Sequence, residues 1–176
     1  MALDTLFVFG ASYDNEDDAV ADYDAVKELY RETDLLDTYD AAVVSKHDDG
    51  KVKIVKKHEQ PTRHGAWGGL GIGLVGGALV ALFPAITLGG ALIVGGVGGS
   101  ALGALGGHVT RGMSRGDLKE LGELLDDGQS GLVVVAATDM EARVEEALRR
   151  AEKLTKKELR ADEKAIEADV DAASSS

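Results

Sequence analysis

Asp14-Asn15-Glu16-Asp17-Asp18 packs oxygen donors closely enough to suggest a calcium site. A calcium-binding loop also needs a glycine at its sharp turn and a distant bidentate Glu, and neither follows here. The run reads instead as the start of a helix, where acids favour the positive end of the dipole. His47, His58, His64 and His108 are too scattered for a metal spacing. Ser12, Ser45 and Ser114 have no base in a recognisable relation to them, and the chain has no Cys to serve as nucleophile, thiolate ligand or disulfide. Gly71-Ile72-Gly73-Leu74-Val75-Gly76 fits G-x-G-x-x-G, but no clear strand leads into it. No acid follows about twenty residues on to hold a ribose. The expectation is a non-enzyme with no catalytic residue, no cofactor and no metal.

The elements around these residues carry more information. The 176 residues suffice for one domain with a core, alone or with an appendage, and 44% hydrophobic with 28% charged content excludes wholesale disorder. The 31 acids outnumber 19 Lys and Arg, a net charge of −12 that repels phosphate backbones and argues against nucleic acid as a partner. The N-terminal "MALDTLFVFGASYDNEDD" has no basic n-region and meets acid at once, unlike a signal peptide.

Thr5 to Gly10 reads as a strand, and a helix capped by Asp14 or Asn15 follows, with Ala19, Tyr23, Val26, Leu29 and Tyr30 at helical spacing. "DTYDAAVVSKH" and "KVKIVKKH" flank Asp48-Asp49-Gly50, a hairpin signal, because glycine tolerates the positive φ of a tight turn. Asp117–Asp127 places Leu118, Leu121, Leu124 and Leu125 on one helical face, and Ser130–Thr138 is a buried strand. From there, with Thr138 or Asp139 as cap, a long charged helix is expected. Without the apolar insert the order is that of a ferredoxin-like βαββαβ unit, an antiparallel sheet with two helices on one face.

The insert itself has no Asp, Glu, Lys or Arg between Arg63 and Arg111. Pro84 divides it into two arms of about 18 to 20 residues, each close to the length that crosses a ~30 Å hydrocarbon layer. Gly65, Gly69, Gly73, Gly77 and Ala81 recur every fourth residue, as do Ala91, Gly95, Gly99, Gly103 and Gly107. The two series mirror each other about Ile86, so a chain folded there lays one glycine face on the other. Each glycine costs roughly 1 kcal/mol of helix propensity, so such a hairpin needs lipid or protein around it to be helical. Its outer Leu, Ile and Val side chains need the same cover. The basic flank of Lys56, Lys57, Arg63, Arg111 and Arg115 points to the cytoplasmic side of an inner membrane. The tip "FPAITLGG" is dry for a far-side loop, which suits burial in a cytoplasmic assembly.

Three stretches now bear comparison with a known family. "AAVVSKHDDGKVKIVKK", the hairpin opening "GAWGGLGIGLVGGALVALF", and "LKELGELLDDGQSGLVVVA" together resemble the bacterial predicted membrane proteins grouped as domain of unknown function twelve-sixty-nine. The likeness spans roughly residues 5 to 160. It implies ferredoxin-like segments around a glycine-zipper hairpin and an association with stress-type proteins, and it implies no catalytic residue. The long charged helix expected beyond Leu159 departs from it.

The expected organisation is α+β. Residues 1–62 form the first part of the ferredoxin-like domain, 63–111 the hairpin, 112–140 the second part, and 141–176 a charged helix and tail. The expected partners are further copies of the chain and membrane lipid, with the hairpin inserted from the cytoplasmic side. The alternative is a soluble homo-oligomer whose hairpins bundle into a protein core.

Overall fold

A computed structural model describes residues 4–32, 40–48, 52–58, 112–126, 128–137 and 140–161. They form an α+β unit with one antiparallel sheet of five strands and three helices. In chain order these are β1 (Asp4–Tyr13), α1 (Glu16–Glu32), β2 (Asp40–Lys46), β3 (Val52–His58), α2 (Arg115–Gly122), β4 (Ser130–Ala137), α3 (Glu141–Ala147) and β5 (Lys153–Ala161). The strands lie in the order β3-β2-β4-β1-β5.

β1 is the spine. It pairs with β4 on one side (Val8 opposite Val135) and with β5 on the other (Val8 opposite Lys157). Every described side chain from Leu6 to Tyr13 is buried, because both faces of the sheet are covered. One face carries Phe7, Phe9, Ala11 and Tyr13 of β1, Leu132, Val134 and Ala136 of β4, and Ala41 and Val43 of β2. α1 lies on it through Ala19, Tyr23, Val26 and Tyr30, and α3 through Val144. Full burial of each such large side chain contributes about 1.5–3 kcal/mol.

Alternation sends Leu6, Val8, Gly10, Val133, Val135, Ala42 and Val44 to the opposite face. α2 covers part of it. A Cβ on Gly10 would meet Leu121 at 2.7 Å and Leu124 at 3.0 Å, and one on Gly131 would meet Leu125 at 2.9 Å. Glycine at these two strand positions lets the helix and its following turn come down onto the backbone.

Local signals act largely as the sequence suggests. Asn15 caps α1 by accepting from the Asp18 backbone N–H at 2.8 Å, and the first turn is acidic. Ser114 caps α2 by accepting from the Asp117 N–H at 3.1 Å. β2 and β3 pair antiparallel, with a bulge between Val43 and Val44. The Asp49-Gly50 turn lies outside the described residues, as do Thr138 and Asp139.

Three expectations change. The helix expected over Asp117–Asp127 runs Arg115–Gly122 instead, leaving Leu124 and Leu125 in the turn beyond it. It also sits on the opposite face from α1, so the partner of α1 is α3. The long C-terminal helix is replaced over 141–161 by a seven-residue helix and then strand β5. Pairs four residues apart, such as Glu145/Arg149 and Glu152/Lys156, favour a helix only weakly. The free edge of β1 offers a full ladder of backbone hydrogen bonds, and that wins. β5 therefore belongs to the same sheet as β1–β4, and residues 162–176 lie outside the described set.

Two adjacent lysines fix β5 to the helices on either side. Lys156 points to the α1/α3 face, where it pairs with Glu141 and Glu145 and stands 5.7 Å from the Phe7 ring centre. Lys157 points the other way, to Glu120 at 2.6 Å and Asp117 at 3.4 Å on α2. A strand's period of two makes this possible; a helix would put both lysines on one side.

Candidate functional site

Asp22 stands in the buried stripe of α1 and is 0% exposed. An isolated buried carboxylate is costly, and here three donors answer it. The Tyr13 hydroxyl donates to Oδ2 at 2.8 Å, the Arg150 backbone N–H to Oδ2 at 2.9 Å, and the Arg150 guanidinium to Oδ1 at 3.0 Å. The three residues come from the end of β1, the middle of α1 and the turn between α3 and β5. The network thus ties the α3–β5 connection to the core. Burial, then the hydrogen bond and negative charge of Asp22, push the Tyr13 phenol far above its ordinary range. A phenol held so firmly protonated is a poor general base, and its place is structural.

Beside this network an open cleft of about 600 Å³ runs between α1 and α3. Ala25, Leu29 and Ala147 supply its apolar surface, Arg149 and Arg150 one set of charges, and Glu28 and Glu32 the other. Glu28 is already paired with Arg31 at 3.1 Å, and Arg149 donates through Nε to the Glu146 carbonyl at 3.3 Å. Among the described residues that line the cleft there is no Ser, Thr, His or Lys. Its charges can hold a polar group.

At the opposite end of the sheet from the β1 N-terminus, Gln129 donates to Asp14 at 3.3 Å, and the Glu152 backbone N–H donates to the Ser12 carbonyl at 2.7 Å. A hydrogen bond to the Asp14 carboxyl and its negative charge raise the Glu152 side chain above the ordinary carboxylate range. Among the described residues no group of three or more His, Asp or Glu is placed to hold a metal. Asp14–Asp18 serve as the cap and first turn of α1.

Of the residues singled out in the sequence, Arg115 is described: it opens α2 and is exposed. Lys56 and Lys57 are described in backbone only, in β3, level with Val43 and Ala42. Gly65, Gly69, Gly73, Gly77, Ala81, Ala91, Gly95, Gly99, Gly103, Gly107, Pro84, Ile86, Arg63 and Arg111 lie outside the described residues. No described helix is long and apolar enough to cross a membrane. Sequence reasoning missed Asp22, Tyr13 and Arg150. The signal was there for Asp22, an acid among the apolar Ala19, Tyr23, Val26 and Tyr30 of one stripe.

The two ends of the apolar segment are in view. β3 ends at His58, level with Ala41, Val134 and Phe9. The chain returns at Gly112, where an added Cβ would collide with the Arg160 carbonyl and the Leu159 side chain, and Arg160 is level with Thr5. β3 runs toward the same end of the sheet as the N-terminus of β1, so both tethers serve that end, on opposite edges. Four strand spacings separate β3 from β5, about 19 Å.

No curated protein and no solved structure matches the chain. A family model does match, over residues 66–170, more than half of the chain and including α2, β4, α3 and β5. The chain belongs to the family described as Protein of unknown function (DUF1269).

Proposed function

We propose that this protein is a non-enzymatic, self-associating membrane-associated protein, in which an α+β unit carries a glycine-zipper helical hairpin that anchors and oligomerises it. The observation that carries this reading is the placement of the tethers: His58 and Gly112 serve one end of one sheet. A hairpin needs both arms to start on the same side, and basic residues flank both. The partners are further copies of the chain and lipid, the process is of the stress type, and the α+β unit stays cytoplasmic.

The unit itself is read as ferredoxin-like in four of its five strands. The order β5-β1-β4-β2, with α1 and α3 on one face, is the split βαβ arrangement. β3 is then an added edge strand, and α2 an added helix on the other face, both belonging to the excursion that carries the hairpin.

A second reading is a soluble homo-oligomer with the hairpins bundled in a protein core. The dry tip, with Thr87 as its one polar side chain, and the net charge of −12 favour it. Fractionation of the expressed protein without detergent separates the two. Recovery with membranes and release by detergent alone supports the anchor. A monodisperse large particle in the soluble fraction supports the bundle, and a soluble monomer overturns both.

A further inference from the structure

Arg150 is held at two points. Its backbone N–H and its guanidinium Nη1 donate to the two oxygens of Asp22, which is 0% exposed and also accepts from the Tyr13 hydroxyl. A guanidinium carries several N–H donors, and Asp22 takes only one of them. The Arg150 side chain still keeps 49% of its surface exposed, beside the cleft between α1 and α3. Arg149 is held in a similar way, through Nε on the Glu146 carbonyl at 3.3 Å. Among the described residues its terminal nitrogens have no partner. Two arginines, each fixed at one N–H and with terminal donors unspent, form a fork suited to a carboxylate. Much of the ordering cost of such side chains is met on folding rather than on binding.

The rest of the cleft is graded by charge along α1. Arg150 is anchored on Asp22, one turn before Ala25. Glu28 lies in the middle and is neutralised by Arg31 at 3.1 Å. Glu32 lies at the far end and has no ion-pair partner among the described residues. Ala25 and Leu29 on α1, with Ala147 opposite, supply apolar surface between the charges. At a rise of ~1.5 Å per residue, Ala25 and Glu32 stand about 10 Å apart along the helix. An extended tripeptide covers about the same length.

We propose that this cleft binds short peptides with free termini. The carboxylate sits on Arg149 and Arg150, the ammonium group at Glu32, and small apolar side chains over Ala25, Leu29 and Ala147. The charges select against other anions. A polyphosphate would bring its negative charge up to Glu28 and Glu32, and a fatty acid would leave Glu32 unanswered. A single amino acid holds its two charges too close together to reach both ends. Binding here is independent of what surrounds the glycine-rich segment.

Trialanine is titrated into the full chain, in buffer or detergent as fractionation dictates, and binding is read by saturation-transfer NMR and calorimetry. N-acetyl-trialanine and trialanine amide each lack one terminal charge. Trialanine should bind, and each blocked peptide should bind about tenfold more weakly. Arg150 is left intact, because its loss would strand the Asp22 carboxylate. Arg149→Gln should weaken trialanine about fivefold and leave the amide unchanged, and Glu32→Gln should do the same with the acetylated peptide left unchanged. Lys119→Gln, on α2 across the sheet, should bind trialanine like the parent. Far-UV circular dichroism checks each variant for the parent's fold. No binding of trialanine at about 10 mM, or equal binding of the three peptides, overturns the proposal. So does a loss from Arg149→Gln or Glu32→Gln no larger than that from Lys119→Gln.

Discussion

At the residue scale the chain's most demanding atoms are the Asp22 carboxylate and the groups that answer it. The Tyr13 phenol is pushed above its ordinary range by burial first and by Asp22 second. A group whose folded value lies above its unfolded one contributes stability that is complete below the unfolded value. That contribution is lost as pH rises through the folded value. For Tyr13 the loss begins near pH ~10, where phenols of the unfolded chain ionise. The melting temperature of the parent should therefore fall steeply from there upward, and Tyr13→Phe should flatten that fall. Tyr13→Phe should also lower stability at neutral pH by about 1–2 kcal/mol, because Asp22 loses a buried donor. A parallel fall in the two proteins above pH ~10 would remove Tyr13 from the account. The opposite case lies nearby. Ser12 is fully buried on the other face, and its hydroxyl has no hydrogen-bond partner among the described residues. Nothing in the structure explains its preference over Ala there.

At the element scale the last strand is the most informative. β5 was not legible, and a helix was expected in its place, because "KLTKKELRA" is rich in helix formers and lacks a clean apolar alternation. Its strand state follows from the waiting edge of β1 and from Lys156 and Lys157 finding acids on opposite faces. Neither partner set can be read from local spacing. By contrast β1, α1, the β2–β3 pairing and β4 were legible, since their apolar periods and caps are local. The face that α2 takes was not, because an eight-residue amphipathic helix says which of its sides is apolar but not which face of a sheet it meets. The strand assignment has a direct consequence. Leu159 is 1% exposed while its neighbour Arg160 points outward. Leu159→Ala should cost about 2–4 kcal/mol in urea unfolding, and Arg160→Ala less than about 0.5. Similar small losses from both would mean that β5 does not form the sheet edge.

At the scale of the whole molecule, the described α+β unit flanks in sequence a long segment without Asp, Glu, Lys or Arg, between Arg63 and Arg111. Among the described residues no group of three or more His, Asp or Glu is placed to hold a metal, and the Asp22 network holds β1, α1 and the α3–β5 turn together. The glycine ladders that define the proposed function were legible in the sequence alone, since period four and mirror symmetry are properties of spacing. What covers them depends on surroundings that spacing cannot supply. The most direct test of the central claim is the assembly state, by light scattering in detergent or in buffer as fractionation dictates, of Gly73→Leu, Gly99→Leu and the control Leu74→Ile. A glycine zipper predicts that each leucine on the glycine face reduces the assembled fraction several-fold, while Leu74→Ile matches the parent. Both glycine variants assembling like the parent would contradict the zipper and the function built on it.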